Sequence, residues 1–359
     1  MSLTEKIKRR AQELGFDLVG VTPLEPVPEL SFYKDWIAAG HAGKMEYLKR
    51  NVDKRTGKTE IFAEAKSVIA CAMVYNTDHP LSTEVHDTGR GWISRYAWGD
   101  DYHEVLENKF FELLDFMKSE STDEVIARVY VDTGPLVDRV YAKYAGIGWF
   151  GKNTCIINQK KGSWFFLGEI ITNLDLEYDA PVPDRCGTCN RCIEACPTAA
   201  IVEPYVLDAR KCISYLTIEL REEISLELRD GVGQHIFGCD ICQDVCPWNR
   251  KATTTGAPEF QPRQGLFHPG LVELAKLSAE DFSKRFRKSP IKRTKRAGLL
   301  RNIAVAMGNS KDRTFLPRLA EMAETGEPLV AEHAQWAIEK IEKSCRESKQ
   351  NQHAKQNTV

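Results

Sequence analysis

No stretch of the 359 residues is apolar over the length of a membrane span: the longest strongly apolar run, Ser67 to Tyr75, falls far short of the roughly 18 residues a spanning helix needs. Lys6, Lys8, Arg9 and Arg10 open the chain, but no apolar core and no small-residue cleavage site follow them, so the expected location is the cytoplasm. An excess of one charge is also missing. Forty-nine Lys and Arg face 51 Asp and Glu, a net charge of -2, so a nucleic-acid partner would have to be met by a local basic patch. Neither a P-loop nor a GxGxxG turn occurs where a strand signal meets a helix signal, which removes the commonest nucleotide sites. Hydrophobic residues at 42% and charged residues at 28% exclude wholesale disorder. At about 150 residues per domain, the length suggests two or three domains.

Cysteine is present and unevenly spread. Eight of eleven lie between Cys186 and Cys246, while Cys71, Cys155 and Cys345 stand apart and read as inert thiols. A disulfide framework belongs to short exported chains, which this is not. Cys186, Cys189, Cys192 and Cys196, followed by Pro197, form the C-x2-C-x2-C-x3-C-P run of bacterial ferredoxins. Three such cysteines can wrap one corner of a 4Fe-4S cube while the fourth reaches a second cube. Cys239, Cys242 and Cys246, with Pro247, repeat the end of that run, and Cys212 stands upstream as the displaced first member, with 26 residues intervening. The crossed ferredoxin rule assigns Cys186, Cys189, Cys192 and Cys246 to one cluster, and Cys212, Cys239, Cys242 and Cys196 to the other. Two zinc sites of four cysteines each are the alternative, less suited to the x2-x2-x3 spacing and the paired Cys-Pro ends.

Periodicity organises the rest. Helix signals over Glu5–Leu14, Phe32–Ala39, Gly43–Lys49 and Asp101–Lys118 alternate with strand signals over Phe16–Val21, Ser67–Tyr75 and Ala127–Val131. Cys155–Asn158 and Trp164–Thr172, joined across Lys160-Lys161-Gly162, are expected to pair as a hairpin. Leu136, Val137, Val140, Tyr141 and Tyr144 recur at helical spacing behind Pro135, so Asp132 is either a cap of that helix or a carboxylate facing a cleft. The expected class is α+β: an α/β-type domain over 1–180, an inserted ferredoxin-like module over 181–250, and a helical HEAT-like region over 251–343. Three amphipathic helices, Arg296–Met307, Phe315–Ala323 and Leu329–Ile341, are separated by Asn309–Asp312 and Thr325–Pro328. The polar tail 344–359 is expected to be disordered.

The run Val131-Asp132-Thr133-Gly134-Pro135-Leu136-Val137-Asp138-Arg139, then Gly148-Trp149-Phe150-Gly151-Lys152-Asn153-Thr154, then the paired cysteine sets, closely resembles the epoxyqueuosine reductases. The resemblance continues through Arg301-Asn302-Ile303-Ala304-Val305-Ala306-Met307-Gly308-Asn309 and so covers nearly the whole chain. It implies reduction of epoxyqueuosine to queuosine at the wobble position of tRNA, with cobalamin, two 4Fe-4S clusters and an external low-potential electron donor. No Asp-x-His-x-x-Gly cobalt-ligand motif is present, since Asp101-Tyr102-His103 runs on to Leu106, and His103 reads as structural. By the same resemblance Asp132 is the proton donor and itself faces the cofactor. Arg55, Arg95, Tyr96, Lys152, Asn153, Ser163, Ser214, Asp240 and Ile241 are candidates to line the cobalamin pocket.

A basic stretch fits that partner. Lys284, Arg285, Arg287, Lys288, Lys292, Arg293, Lys295, Arg296 and Arg301 are nine cations within 18 residues, with no acid among them. A solvated helix face is the plainer alternative. A reductive dehalogenase-like enzyme acting on a small molecule and an iron-sulfur subunit that merely feeds a partner are the rival functions. The basic C-terminal region and the missing export signal count against the dehalogenase. A monomer is expected.

Overall fold

The computed structural model describes residues 1–50, 52–56, 61–324 and 327–356, without the side chains of 348–349 and 351–356. A four-stranded sheet runs in the order Leu18–Pro23, Ser67–Val74, Phe165–Thr172, Ala127–Tyr130, and every neighbouring pair is antiparallel. Ser67–Val74 is buried along its whole length because both faces of the sheet are covered. Successive side chains point to opposite faces, which sorts the apolar run between two cores. Ile69, Cys71 and Met73 pack with Ile7, Ala11, Phe110 and Leu113 of the helices Leu3–Glu13 and Tyr102–Glu120. Ala70, Ala72 and Val74 pack with Ala142 and Ala145 on the other side, at the helix Asp138–Tyr144. A mixed helix and sheet domain results, as the order of segments implies.

One expected pairing is replaced. Ile156–Ile157 pairs with Trp149–Phe150, not with the strand that follows it; the Lys160-Lys161-Gly162 turn is spanned by an isolated bridge between Asn158 and Gly162. A strand has two edges, and both edges of Phe165–Thr172 are taken by Ser67–Val74 and Ala127–Tyr130.

At the C-terminal end Lys295–Ser310 is buried from Gly298 to Gly308. It is enclosed by Pro328–Gln356, Leu271–Ala275 and the strand His235–Phe237. The core around it also takes in Trp92, Ile93 and Trp98, so region 251–343 shares its core with the N-terminal half. The last helix continues through the segment expected to be disordered, as far as Gln356. Residues 344–356 are polar but contain neither Gly nor Pro and are rich in Lys, Glu, Arg and Gln, which favour helix. Thr325 and Gly326 of the expected break, and residues 357–359, lie outside the described residues.

Candidate functional site

Asp132 lies just past the strand Ala127–Tyr130 in a loop that is not helical. The helix expected from Pro135 onward starts at Asp138, with Val137 as its N-cap residue. Asp132 is therefore not its cap. Asp132 itself has φ 56°, a left-handed conformation that Asp tolerates better than most residues. The loop passes so close to Tyr130 that a Cβ on Gly134 would stand 2.4 Å from its ring. This geometry leaves the Asp132 carboxylate exposed, where Oδ2 accepts a hydrogen bond from the Tyr102 hydroxyl at 2.7 Å.

Asp132 stands where two cavities meet. The larger, about 990 Å³, is walled by Phe32, Tyr33, Trp36, Tyr47, Leu136 and Trp149, with Arg55 among them. The smaller, about 420 Å³, is lined by Tyr75, Tyr96, Tyr102 and Phe166 together with Cys196, Cys212, Cys239 and Cys242. Burial, then the Asp132 charge, pushes the Tyr96 and Tyr102 phenols well above their ordinary value. Tyr47 rises to about 12 through burial, then Glu219. All three keep their protons at neutral pH.

The eight clustered thiols are free and fall into two fours. Cys192 lies in the field of Cys246 and Cys186, and Cys246 in that of Cys186 and Cys189. Cys212 is influenced by Cys196, Cys239 by Cys212 and Cys196, and Cys242 by Cys239 and Cys212. The fourth cysteine of each run thus sits with the other run. Among the described residues no three His, Cys, Asp or Glu side chains converge on one ion-sized point. Grouping, not a closed coordination shell, is what the polypeptide supplies. Cys155, expected to be an isolated thiol, lies against Cys242.

The structure brings together Arg55, Tyr96, Asn153, Ser214 and Ile241 at the cavities beside Asp132. Four other candidates line neither cavity. Arg95 is buried and donates to the carbonyls of Thr77, His79 and Pro80 while its guanidinium lies over Trp98. The Asp240 carboxylate accepts from the Trp92 indole, the Ser94 hydroxyl and the Arg95 amide. Ser163 Oγ accepts from Gln243 and Asn249. Lys152 donates to Asn190 Oδ1 at 3.0 Å. These polar groups are consumed in holding the cluster loops against the sheet domain. Conversely Tyr102, Asp138, Arg139 and Thr154 reach the smaller cavity. Asp138, Arg139 and Thr154 belong to the runs that carry the family resemblance, whereas Tyr102 comes from a helix distant in sequence and has no local signal.

The basic stretch is divided. Lys284, Arg287, Lys288, Lys292, Arg293 and Lys295 are exposed. Arg285 pairs with Glu273, Lys288 with Glu104, Arg293 with Glu219 and Arg296 with Glu327, so acids remote in sequence answer part of the charge. Arg301 is removed from the patch altogether: it is fully buried, and its guanidinium donates to the carbonyls of Leu216, Leu220 and Glu222. Arg293 lies over the ring of Tyr47, 5.4 Å from its centroid, which brings the patch to the mouth of the larger cavity.

Two family models match the chain. A 4Fe-4S double cluster binding domain covers residues 185–249, and "Epoxyqueuosine reductase QueG, DUF1730" covers residues 55–133. The epoxyqueuosine reductase of Pseudomonas aeruginosa is 40% identical over 341 residues, 94% of either chain. That of Escherichia coli is 40% identical over 338 residues, 94% of this chain and 89% of its own. Among solved structures, an epoxyqueuosine reductase with a tRNA-Tyr epoxyqueuosine-modified stem loop matches with TM-score 0.84 and 34% identity, over 94% of this chain and 90% of that one. The Streptococcus thermophilus epoxyqueuosine reductase matches with TM-score 0.87 and 31% identity, over 96% and 91%. Identity of that order along nearly the full length, with the cysteine sets inside a double-cluster domain, makes this chain a member of the epoxyqueuosine reductases and an oxidoreductase.

Proposed function

We propose that the protein reduces epoxyqueuosine to queuosine at the wobble position of tRNA, with Asp132 as proton donor and with cobalamin and two 4Fe-4S clusters as its cofactors. The observation that carries this reading is the position of Asp132 at the meeting of two cavities, one of them walled by four of the clustered thiols. The clusters are held by Cys186, Cys189, Cys192 and Cys246, and by Cys196, Cys212, Cys239 and Cys242, and are fed by an external low-potential donor. A related enzyme, that of Bacillus subtilis, is described with its catalytic aspartate loop swung out of the active site. Asp132 occupies a loop of that kind here.

Cobalamin suits the residues present. The smaller cavity brings aromatic rings and four of the clustered thiols into one space, where a bound macrocycle would be within reach of a cluster. In the larger cavity Arg55 Nε is buried and, among the described residues, has no hydrogen-bond partner, leaving it to answer an anionic side group. Arg55, Tyr96, Asn153, Ser214 and Ile241 would hold the cofactor. When bound, cobalamin supplies a cobalt reducible to a strong nucleophile for opening the epoxide.

The chain's own residues manage the protons and the RNA. Epoxide to alkene takes two electrons and two protons and releases water. Asp132 gives a proton to the epoxide oxygen, and the Tyr102 hydroxyl steadies the carboxylate that remains. Exposed cations from Lys284 to Lys295 hold tRNA phosphates, with Arg293 and Tyr47 at the cavity mouth. Replacing Asp132 with Asn tests the central claim. The amide has no proton to give, so single-turnover conversion of the modified nucleoside should fall about 100-fold or more, with iron and cobalamin content unchanged. A wild-type rate at full corrin occupancy would return Asp132 to a structural role.

A further inference from the structure

Glu169 occupies the middle of the strand Phe165–Thr172 and is fully buried. Its registered neighbours are Ala70 on one side and Tyr130 on the other. Both of its carboxyl oxygens, and Oδ1 of Asp138, are enclosed and have no hydrogen-bonded donor among the described residues. Glu169 and Asp138 instead face one another. Burial, then Asp138, raises Glu169 far above the ordinary carboxyl range; burial, then Asp132, raises Asp138, which its contact with Glu169 partly offsets. Two carboxyls in contact, one of them fully buried, disfavour double ionisation, and the direction of the two shifts favours the proton on Glu169. The charged and titratable groups facing it are Arg55, which favours ionised Asp138, together with Asp132, Tyr141 and Cys71. Asp138, unlike Glu169, lines both cavities alongside Asp132 and lies within the field of its charge.

We propose that Glu169 and Asp138 form a proton store behind Asp132 and return a proton to it within the turnover, so that one side chain delivers both protons. The proposal rests on Asp132 being the donor. The first proton leaves Asp132 for the epoxide oxygen as one C–O bond breaks, giving a hydroxyl and the Asp132 carboxylate. Glu169 then passes its proton through Asp138 to Asp132. Asp132 gives it to the hydroxyl as the second C–O bond breaks, releasing water and leaving the alkene. The two electrons come from the external one-electron donor, used twice, and solvent reprotonates the pair between turnovers. Glu169 lines neither cavity, and both residues act through Asp132.

The test uses reconstituted holoenzyme carrying Glu169→Gln, which keeps shape and removes the stored proton. Infrared difference spectra in H2O and D2O at neutral pH, without substrate, should show a neutral carboxyl in the wild type that is missing in the variant. Turnover should fall about 10- to 100-fold, most steeply at alkaline pH, with KM for tRNA unchanged and the rate restored by formate or acetate. Asp132→Asn should not be restored. Wild-type protein without the neutral-carboxyl band, or Glu169→Gln with the wild-type pH profile, overturns the proposal. Should Glu169→Gln lose its clusters, Asp138→Asn must show the same kcat loss at constant KM, and a normal rate there overturns it too. A fully active Asp132→Asn would sink the donor reading, whereas an inactive Asp132→Asn beside a normal Glu169→Gln would sink the proton store alone.

Discussion

The hydroxyl of Tyr102 is the polar group that fixes Asp132, and the hydrogen bond becomes charge-assisted once Asp132 has given up its proton. Hydrogen bonds to ionised groups contribute about 1.5–3 kcal/mol. Tyr102→Phe, which removes that hydrogen bond, should therefore lower the single-turnover rate by about 10-fold or more, while absorbance from the clusters is unchanged; an unaltered rate would show that the loop holds Asp132 unaided. Arg301 makes the opposite case, a charged residue whose duty is structural. Burial, then Arg221 and Arg229, lowers it to about 10, so it stays charged at neutral pH and its carbonyl partners satisfy it. Arg301→Met strands those buried carbonyls at about 1–3 kcal/mol each. Thermal unfolding should shift down accordingly, with no change in the salt dependence of tRNA binding.

Among the elements, the cluster loops are the ones whose parts exchange. Cys196 closes the first run yet sits with Cys212, Cys239 and Cys242. Cys196→Ser should therefore damage the cluster those three hold and spare the one on its own run. Electron paramagnetic resonance of the reduced protein separates the two, and disappearance of the other signal would reverse the assignment. Part of this was legible from spacing alone, because the x2-x2-x3 run carries the crossing rule with it. The Ile156–Ile157 pairing was not legible. Both apolar segments satisfy the same period, and the choice of partner depended on which strands already occupied the edges of Phe165–Thr172.

For the whole molecule the question is how a chain of net charge -2 would engage the RNA proposed as its substrate. Six exposed cations between Lys284 and Lys295 form the patch, and two of them, Lys288 and Arg293, carry surface ion pairs of small worth that a phosphate can replace. Replacing Lys284, Arg287, Lys292 and Lys295 with Glu should weaken binding of the substrate tRNA and lower the slope of log K against log salt by about 1 for each phosphate no longer neutralised. Iron content should not change. An unchanged slope would assign these residues to a solvated face.

Cysteine spacing, the Asp132 motif and the apolar periods determined the double-cluster module, the mixed helix and sheet class and the family, because each depends on residues close together in the chain. Tertiary structure alone decided which members of the basic stretch are free. Arg301 and Lys292 look alike in sequence, but one lies on the helix face enclosed by carbonyls of 216–222 and the other faces solvent. It also separated Arg95, Lys152, Ser163 and Asp240, spent on fastening loops, from Arg55, Tyr96 and Ser214 at the cavities. Tyr102 was brought to Asp132, and Glu169 to Asp138, from separate elements. Side-chain chemistry is written locally, but which groups share one low-dielectric space depends on packing between segments far apart in the chain.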